Sequence, residues 1–274
     1  MSTTATQATA LVLAGQRDRR VDPLAEAAGT RCKALVPVAG RPLILHVIET
    51  LASAPEIGTI IVSINKGIAL GEVAALRPLL ASGKVRIAAA RGNLVDSVMD
   101  ALAKADFPVL ITTADNVLLT PQSVAEMHSA VTRQGADIGV GFARRQDVLA
   151  AHPEGQRRFY QFNDDAYSNC NSYWLSNRAA LRPVEVFRSG GQFVKHPARI
   201  IGAFGLLNLI RFRFGIGSLD ALFARLSRRF RLTLRPVVIS DGANAIDVDN
   251  ERTLRVVEHI LATRTHEQAL AAAG

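Results

Sequence analysis

From Ala10 to Phe142, short apolar runs alternate with segments of helical period, and this alternation most narrows what the chain can fold into. Residues 10–13, 59–64, 85–90, 109–113 and 137–142 read as strands that are apolar almost throughout, as strands buried on both faces of a sheet must be. Between them, residues 42–52 open on a proline and carry Leu43, Val47, Ile48 and Leu51 at helical spacing. Residues 69–81 form a further expected helix, bent or shortened by Pro78, and 95–104 another. Thr120-Pro121 starts a helix to about Arg133, with threonine as N-cap and proline at the first helical position. Strands alternating with helices build βαβ units. The expectation is therefore an α/β, three-layer α/β/α Rossmann-like fold on a mainly parallel sheet.

After about Arg144 the rhythm changes. Polar clusters and aromatic residues between Phe159 and Trp174 suggest antiparallel strands forming one wall of a pocket. A helical stretch over 198–229, interrupted at Gly215 and Gly217, leads to a strand at 232–239, a loop with Asp247 and Asp249, and a helix from about Glu251 to Arg264. At 274 residues a single core is expected. We divide it into a nucleotide-binding half (1–143), an acceptor-binding and basic helical region (144–235), and a loop with its closing helix (236–264). Residues 1–7 and 268–274 read as tails. No signal-peptide pattern and no apolar run long enough to span a membrane is present, so a cytoplasmic location is expected. Cys32 and Cys170 offer neither a disulfide framework nor a paired metal spacing.

Open parallel sheets bind ligands beyond the carboxyl ends of their strands, and the chemistry-bearing residues fall there. The first strand (Leu11, Val12, Leu13) runs into Ala14-Gly15, then Arg17, Arg19 and Arg20, and later Lys33. A strand end followed by guanidinium groups and an ammonium suits a triphosphate, because arginine forks and lysine neutralise clustered phosphate oxygens. The third strand delivers Arg91-Gly92-Asn93 ahead of Ser97, and the fourth delivers Asp115. A carboxylate at a strand end near phosphates is a natural ligand for Mg²⁺, which takes one or two carboxylates plus phosphate oxygens; the second would come from Asp247 or Asp249. The polar run Ser168-Asn169-Cys170-Asn171-Ser172 suits an acceptor pocket.

The run LVLAG, Arg20, Lys33 within CKALVPVAGRPL, Asp115 within TTADNVLLTP and Asp249 within IDVDNERTL together resemble the MobA-like nucleotidyltransferases of glycosyltransferase-A type fold. These are relatives of the sugar-phosphate and methylerythritol-phosphate nucleotidyl transferring enzymes. The resemblance covers about residues 9–142 and resumes near 236–262. It implies that Leu13, Ala14, Gly15, Arg20 and Lys33 contact the triphosphate, with Arg20 and Lys33 catalytic and Lys33 stabilising charge at the α-phosphorus. It implies that Gly92, Asn93 and Ser97 hold the base, that Asp115 binds nucleotide and Mg²⁺, and that Asp249, with Asp247 as second choice, completes the metal site. The chain departs from the family pattern at Gln16, where a second loop glycine is usual, and in a longer stretch between Arg20 and Lys33; Arg17 or Arg19 could replace Arg20.

The expected reaction is attack by an acceptor phosphate on the α-phosphorus of a nucleoside triphosphate, CTP favoured, releasing pyrophosphate. The acceptor would be a phosphoglycerate-like acid, a phosphorylated alcohol or a sugar phosphate, held by Asn169, Asn171 and Lys195. A net charge of +8, concentrated in arginines from Arg199 to Arg235, attracts such anions. Phe204, Leu206, Leu207, Leu209, Ile210, Phe212 and Phe214 interleave with those arginines, and the segment reads either as a solvated basic helix pair or as an element lying on anionic lipid, a peripheral membrane contact that would suit synthesis of a lipid head group. Nucleic acid is not expected as a partner, since no recognised nucleic-acid motif is present. The rival readings are a glycosyltransferase on the same fold, disfavoured because Asn116 and Val117 follow Asp115 in place of an Asp-x-Asp motif, and a non-catalytic nucleotide-binding or membrane-surface protein. A three-glycine dehydrogenase fingerprint is missing from the first strand.

Overall fold

The computed structural model describes residues 6–16, 22–68, 70–187 and 205–273. Its central strand β1 (Ala8–Leu13) is buried on both faces. Ala8, Ala10 and Val12 join one hydrophobic cluster and Leu11 the other, so the period-two alternation of a strand is used to fill two layers at once. β1 lies between parallel neighbours β4 (Ile57–Ile64) and β6 (Val109–Thr113), and β5 (Val85–Ala89) extends the sheet beyond β4. On the other side, β9 (Ala166–Leu175) runs antiparallel between β6 and β7 (Ile138–Arg144), and β10 (Leu234–Val238) lies parallel to β7 at the edge. The order is β10-β7-β9-β6-β1-β4-β5, with β8 (Tyr160–Gln161) paired to β9. A small antiparallel hairpin, β2 (Pro37–Val38) and β3 (Arg41–Pro42), stands apart from it.

Helices cover both faces, as the alternation requires. Among the described residues these are α1 (Pro23–Ala27), α2 (Leu43–Ser53), α3 (Arg77–Ala81), α4 (Leu94–Ala101), α5 (Pro121–Gln134), α6 (Arg145–Ala151), α7 (Leu206–Arg213), α8 (Leu219–Phe230) and α9 (Glu251–Ala273). The cluster holding Leu43, Ile44, Val124 and Val257 lies on one face of the sheet, and that holding Val98, Leu222 and Phe223 on the other. The α5 boundaries follow from local chemistry: the Thr120 hydroxyl accepts from the Ser123 amide at 3.1 Å, Pro121 opens the helix, and Gly135 at φ 55° closes it.

Several boundaries differ from expectation. Residues 69–81 do not form one helix: two 3₁₀ turns (Leu70–Glu72 and Ala74–Leu76) precede the five-residue α3, in which Pro78 takes an early position that needs no amide donor. Helix α6 and the 3₁₀ stretch Arg178–Phe187 form in chain for which the sequence reading named no element. The closing helix does not stop near Arg264 but runs to Ala273, because the alanine-rich end read as a tail has high helix propensity. The break at Gly215 and Gly217 separates α7 from α8; the expected stretch 198–204, with Phe204 and Arg199, lies outside the described residues. No described helix is long and apolar enough to cross a membrane.

Two features of this scaffold are open to direct test. The 3₁₀ turn Gly242–Ala245, which leads into the Asp247–Asp249 loop, packs so closely on α6 that a Cβ on Gly242 would collide with the backbone of Asp147 and Val148. Gly242→Ala is therefore expected to cost about 1–3 kcal/mol of stability, read as a lower urea midpoint. On α2, the half-buried His46 ring donates from Nε2 to the Val38 carbonyl at 3.0 Å. Burial lowers its pKa and the Arg41 charge adds to this, against the pull of the Val38 carbonyl and Glu49 in the other direction. The folded state thus binds this proton more weakly than the unfolded chain, so stability falls as pH drops below 6.5 and the loss is complete below the folded pKa. His46→Gln should flatten the acid side of the thermal midpoint against pH; an unchanged profile would remove His46 as the cause.

Candidate active site

The chain leaves β1 for β4 and β5 on one side and returns to β6 on the other, so the carboxyl ends of β1 and β6 flank the topological switch point. Ala14 and Asp115 emerge there side by side, tied by the Ala14 and Ala114 amides donating to the Ser63 and Leu13 carbonyls at 2.8 and 3.0 Å. Gly15 follows where the loop passes β5: a Cβ on it would come within 2.9 Å of the Ala90 Cβ. Glycine is thus required by close approach rather than by a special backbone angle. The next residue is pinned from β4. The Asn65 Oδ1 accepts from the Gln16 amide at 2.6 Å, and its Nδ2 donates to the Gln16 carbonyl at 3.3 Å. Sequence reasoning missed Asn65, although an Asn one residue past a buried parallel strand is a readable signal. Arg20, with Arg17 and Arg19, lies outside the described residues.

Lys33, at the start of a 3₁₀ turn (Lys33–Leu35), reaches across the strand ends. Its Nζ stands 2.5 Å from Asp115 Oδ2 and 3.0 Å from Asp249 Oδ1. Burial opposes the lysine charge, but the Asp115 and Asp249 carboxylates outweigh it and its pKa lies above the ordinary value. Asp247 completes the group. Burial first, then the Asp115 and Asp249 charges, pushes its carboxyl far above the usual carboxylate range. Its Oδ2 accepts from Asn171 Nδ2 at 2.6 Å, while its Oδ1 and the Oδ1 of Asp115 are buried with no hydrogen-bond partner.

The two loops that carry these carboxylates are joined directly, since the Val248 amide donates to the Asp115 carbonyl at 3.1 Å. The Thr253 hydroxyl accepts from the amides of Asp249 and Asn250 at 2.9 and 3.1 Å, and Asn250 Oδ1 accepts from the Thr253 amide, which caps α9 and sets the loop. Asn171 adopts φ 48°, and its amide donates to Asn169 Oδ1 at 2.7 Å. Asn171 thereby touches the carboxylate group; Asn169 orients it and also accepts from the Tyr173 hydroxyl. Cys170 is fully buried, and burial, with Asp247 and Asp241 behind it, pushes its thiol well up.

On the other side of β1, Gly92 is exposed and has open space about it. Asn93 caps α4, accepting from the Asp96 amide at 2.8 Å and donating to its carboxylate. The buried Ser97 hydroxyl accepts from the Arg91 amide and donates to the Asn93 carbonyl, both at 2.8 Å. These side chains thus serve the Arg91–Asn93 loop and the cap of α4 through their own hydrogen bonds. Asn116 is wholly buried, donating to Thr112 Oγ1 and the Cys170 carbonyl, and Val117 is buried beside it.

Asp247 and Asp249 open onto a cavity of about 560 Å³ whose other side is cationic, with Arg157, Arg158 and Arg252. A second cavity, of about 900 Å³, shares Arg157 and Arg158 and adds Arg145, Tyr160 and Arg213. Arg213 belongs to the arginine run between Arg199 and Arg235; Arg145, Arg157, Arg158 and Arg252 were not singled out from the sequence. Lys195 lies outside the described residues.

Known proteins share this fold. A structure of a hypothetical transferase from Thermus thermophilus superposes with a TM-score of 0.73 at 24% identity, covering 91% of this chain and all of that one. The 4-diphosphocytidyl-2C-methyl-D-erythritol synthase from Anaerococcus prevotii gives 0.58 at 12% identity, covering 93% and 96%. A CMP:2-keto-3-deoxy-manno-octonic acid synthetase complexed with CTP gives 0.54 at 14% identity, covering 94% and 100%. These likenesses show the fold, that of the nucleotide-diphospho-sugar transferases. No curated protein matches the sequence significantly. The family model for the MobA-like NTP transferase domain matches residues 10–197, which takes in β1, Lys33 and Asp115, and the chain therefore belongs to the MobA-like NTP transferases, a family of nucleotidyltransferases.

Proposed function

We propose that the protein is a Mg²⁺-dependent nucleotidyltransferase that condenses a nucleoside triphosphate, with CTP favoured, with a small phosphorylated acceptor. The product is an activated nucleoside-diphosphate compound of the kind used in head-group or glycoconjugate synthesis. The observation that carries this reading is one lysine held between Asp115 and Asp249 at the switch point of the sheet, beside a third, protonation-prone carboxylate. Preference for CTP is supported by two similar structures, one a diphosphocytidyl-methylerythritol synthase and one a CMP synthetase complexed with CTP.

The donor set suits a hard divalent cation. Two buried carboxylate oxygens, Asp115 Oδ1 and Asp247 Oδ1, lack partners, and three carboxylates crowd one lysine. No group of three or more His, Cys, Asp or Glu side chains among the described residues could hold a metal alone; Mg²⁺ ordinarily takes one or two carboxylates and completes its shell with phosphate oxygens and water. Asp115 with Asp247 or Asp249 would hold the ion, and the ion would supply charge neutralisation at the phosphates. The chain's own part is positioning. The Ala14–Gln16 backbone lies against the triphosphate, and Lys33 leaves its carboxylates to stabilise charge on the α-phosphate. An acceptor phosphate oxygen forms the new bond to the α-phosphorus, the bond from that phosphorus to the β-bridging oxygen breaks, and pyrophosphate departs. The acceptor is ionised at neutral pH, so no protein nucleophile is needed, and Arg157 and Arg158 supply a cationic seat for it.

A glycosyltransferase is the weaker reading. Its Asp-x-Asp motif would need ligands where Asn116 and Val117 are buried in the core.

Removing like charge from the site should be visible without turnover. Asp247→Asn keeps an oxygen for Asn171 and removes the buried carboxylate, so in EDTA its thermal midpoint is expected above that of the unsubstituted protein. Added Mg²⁺ should raise the unsubstituted protein's midpoint and leave the variant's nearly unmoved. A Mg²⁺ response equal in both would take Asp247 out of the metal site.

The decisive test of function is pyrophosphate release with Mg²⁺, presenting CTP, GTP, UTP and ATP in turn with phosphorylated acids, alcohols and sugars. Release is expected with one pair, abolished by Asp115→Ala. Arg157→Ala and Arg158→Ala should each raise the acceptor KM about tenfold to a hundredfold, as loss of a charge-assisted contact requires, with the nucleotide KM little changed. Tight nucleotide binding with no release from any pair would overturn the reading in favour of a binding protein.

A further inference from the structure

We propose that the face formed by α7, the turn after it and the last turns of α8 seats the protein on an anionic lipid bilayer, with the apolar side chains in the headgroup boundary and the arginines on lipid phosphates. Helix α7 has no buried residue. Leu206, Leu207, Phe214 and Ile216 are 54%, 70%, 70% and 51% exposed, which is too much contiguous apolar surface for a helix covered by its own fold. Between residues 205 and 235 the chain carries seven arginines and a single acid, Asp220. Arg225 Nε donates to Asn208 Oδ1 at 3.0 Å, fastening α7 to α8. Asn208, Arg225, Arg228, Arg229 and Arg231 together line a shallow basin of about 490 Å³. Exposed leucines and phenylalanine beside a field of guanidinium groups are the two terms by which an interfacial helix binds anionic membranes.

Charge complementarity selects this occupant over a second copy of the chain. A two-fold contact through this face would bring the arginine fields of both copies together, and like charges opposed at an interface are unfavourable. The apolar residues also find no purpose against nucleic acid, which would meet the arginines alone. The inference is independent of the acceptor and nucleotide readings, because docking requires no turnover.

The test is flotation of the full chain with vesicles of phosphatidylcholine alone and of phosphatidylcholine mixed with phosphatidylglycerol, at low and high salt. Binding is expected to the mixed vesicles, weakening with salt, and little to the neutral ones. The double variant Leu206→Glu/Leu207→Glu alters exposed positions in the first turn of α7, where acidic residues suit the helix, so folding is retained and checked by circular dichroism. It should lose at least about tenfold in vesicle affinity, as removal of two membrane-buried leucines demands. Arg228→Glu should lose affinity at low salt and less at high salt. Equal binding by the double variant would overturn the proposal. So would the absence of vesicle binding, and self-association in the ultracentrifuge that the double variant abolishes would assign the face to a second copy instead.

Discussion

Three carboxylates and one ammonium meet at the carboxyl edge of the sheet, and they come from positions far apart in the chain. Lys33 is 82 residues from Asp115 and 216 from Asp249. In the ligand-free chain Lys33 is the counterion that lets Asp115 and Asp249 stand close, and even so Asp247 is forced towards its neutral form. The balance is one cation short. A second cation with a triphosphate would settle the carboxylates and free the lysine for phosphate oxygens, so the internal ion pair and the proposed substrate complex are alternatives that use the same groups. An arrangement that costs the empty fold and is relieved by its ligands is the expected signature of a site kept for chemistry rather than for stability.

Such a cluster can persist only on a rigid frame. β1 and β6 fix Ala14 and Asp115 by parallel pairing deep in the core. The Asp247–Asp249 loop has no strand of its own, so it is held from several sides: by its amide to the Asp115 carbonyl, by Asn171, by the Thr253 cap and by the close approach of Gly242 to α6. On the far side the Ala39 amide of the β2–β3 turn donates to Glu258 on α9 at 3.0 Å, tying the hairpin beyond Lys33 to the helix that follows the acidic loop. The elements that contribute ligands are thus cross-braced behind the site, and the cleft itself stays open.

Much of this was legible in the residues. The alternating runs between Ala10 and Phe142 marked every parallel strand of that half, and Thr120-Pro121 marked the start of α5 to the residue, because both signals are local. Lys33 stood out as an ammonium after the guanidinium run, Asp115 as a carboxylate at a strand end, and Asp247 and Asp249 as carboxylates of the late loop; the role of Lys33 and the choice of Asp249 over Asp247 came only with the family resemblance. What escaped was the contribution of pairs distant in sequence. Asn65 matters only because it meets Gln16, and Arg157, Arg158 and Arg252 become one wall only when residues 155–158 fold against the acidic loop. Asn93 and Ser97 show the opposite case: their side chains serve the helix cap and loop that their local sequence already encodes.

The acceptor wall and the docking face are not separate features of the molecule. Phe212 of α7 packs on Tyr160 and Phe162, with ring centres 5.3 and 6.0 Å apart, and the next residue, Arg213, lines the cavity that Arg157 and Arg158 share with the acidic loop. Gly215 passes so near the Gln161 backbone that a Cβ there would come within 2.8 Å of its carbonyl oxygen, which holds the turn after α7 against β8. A bilayer bound to Leu206, Leu207 and Phe214 would therefore lie near the cavity that Arg213 lines with Arg157 and Arg158. Arg213 lines that cavity and belongs to the same run of arginines, Arg211 to Arg235, that would hold the surface, so one cationic segment would serve both.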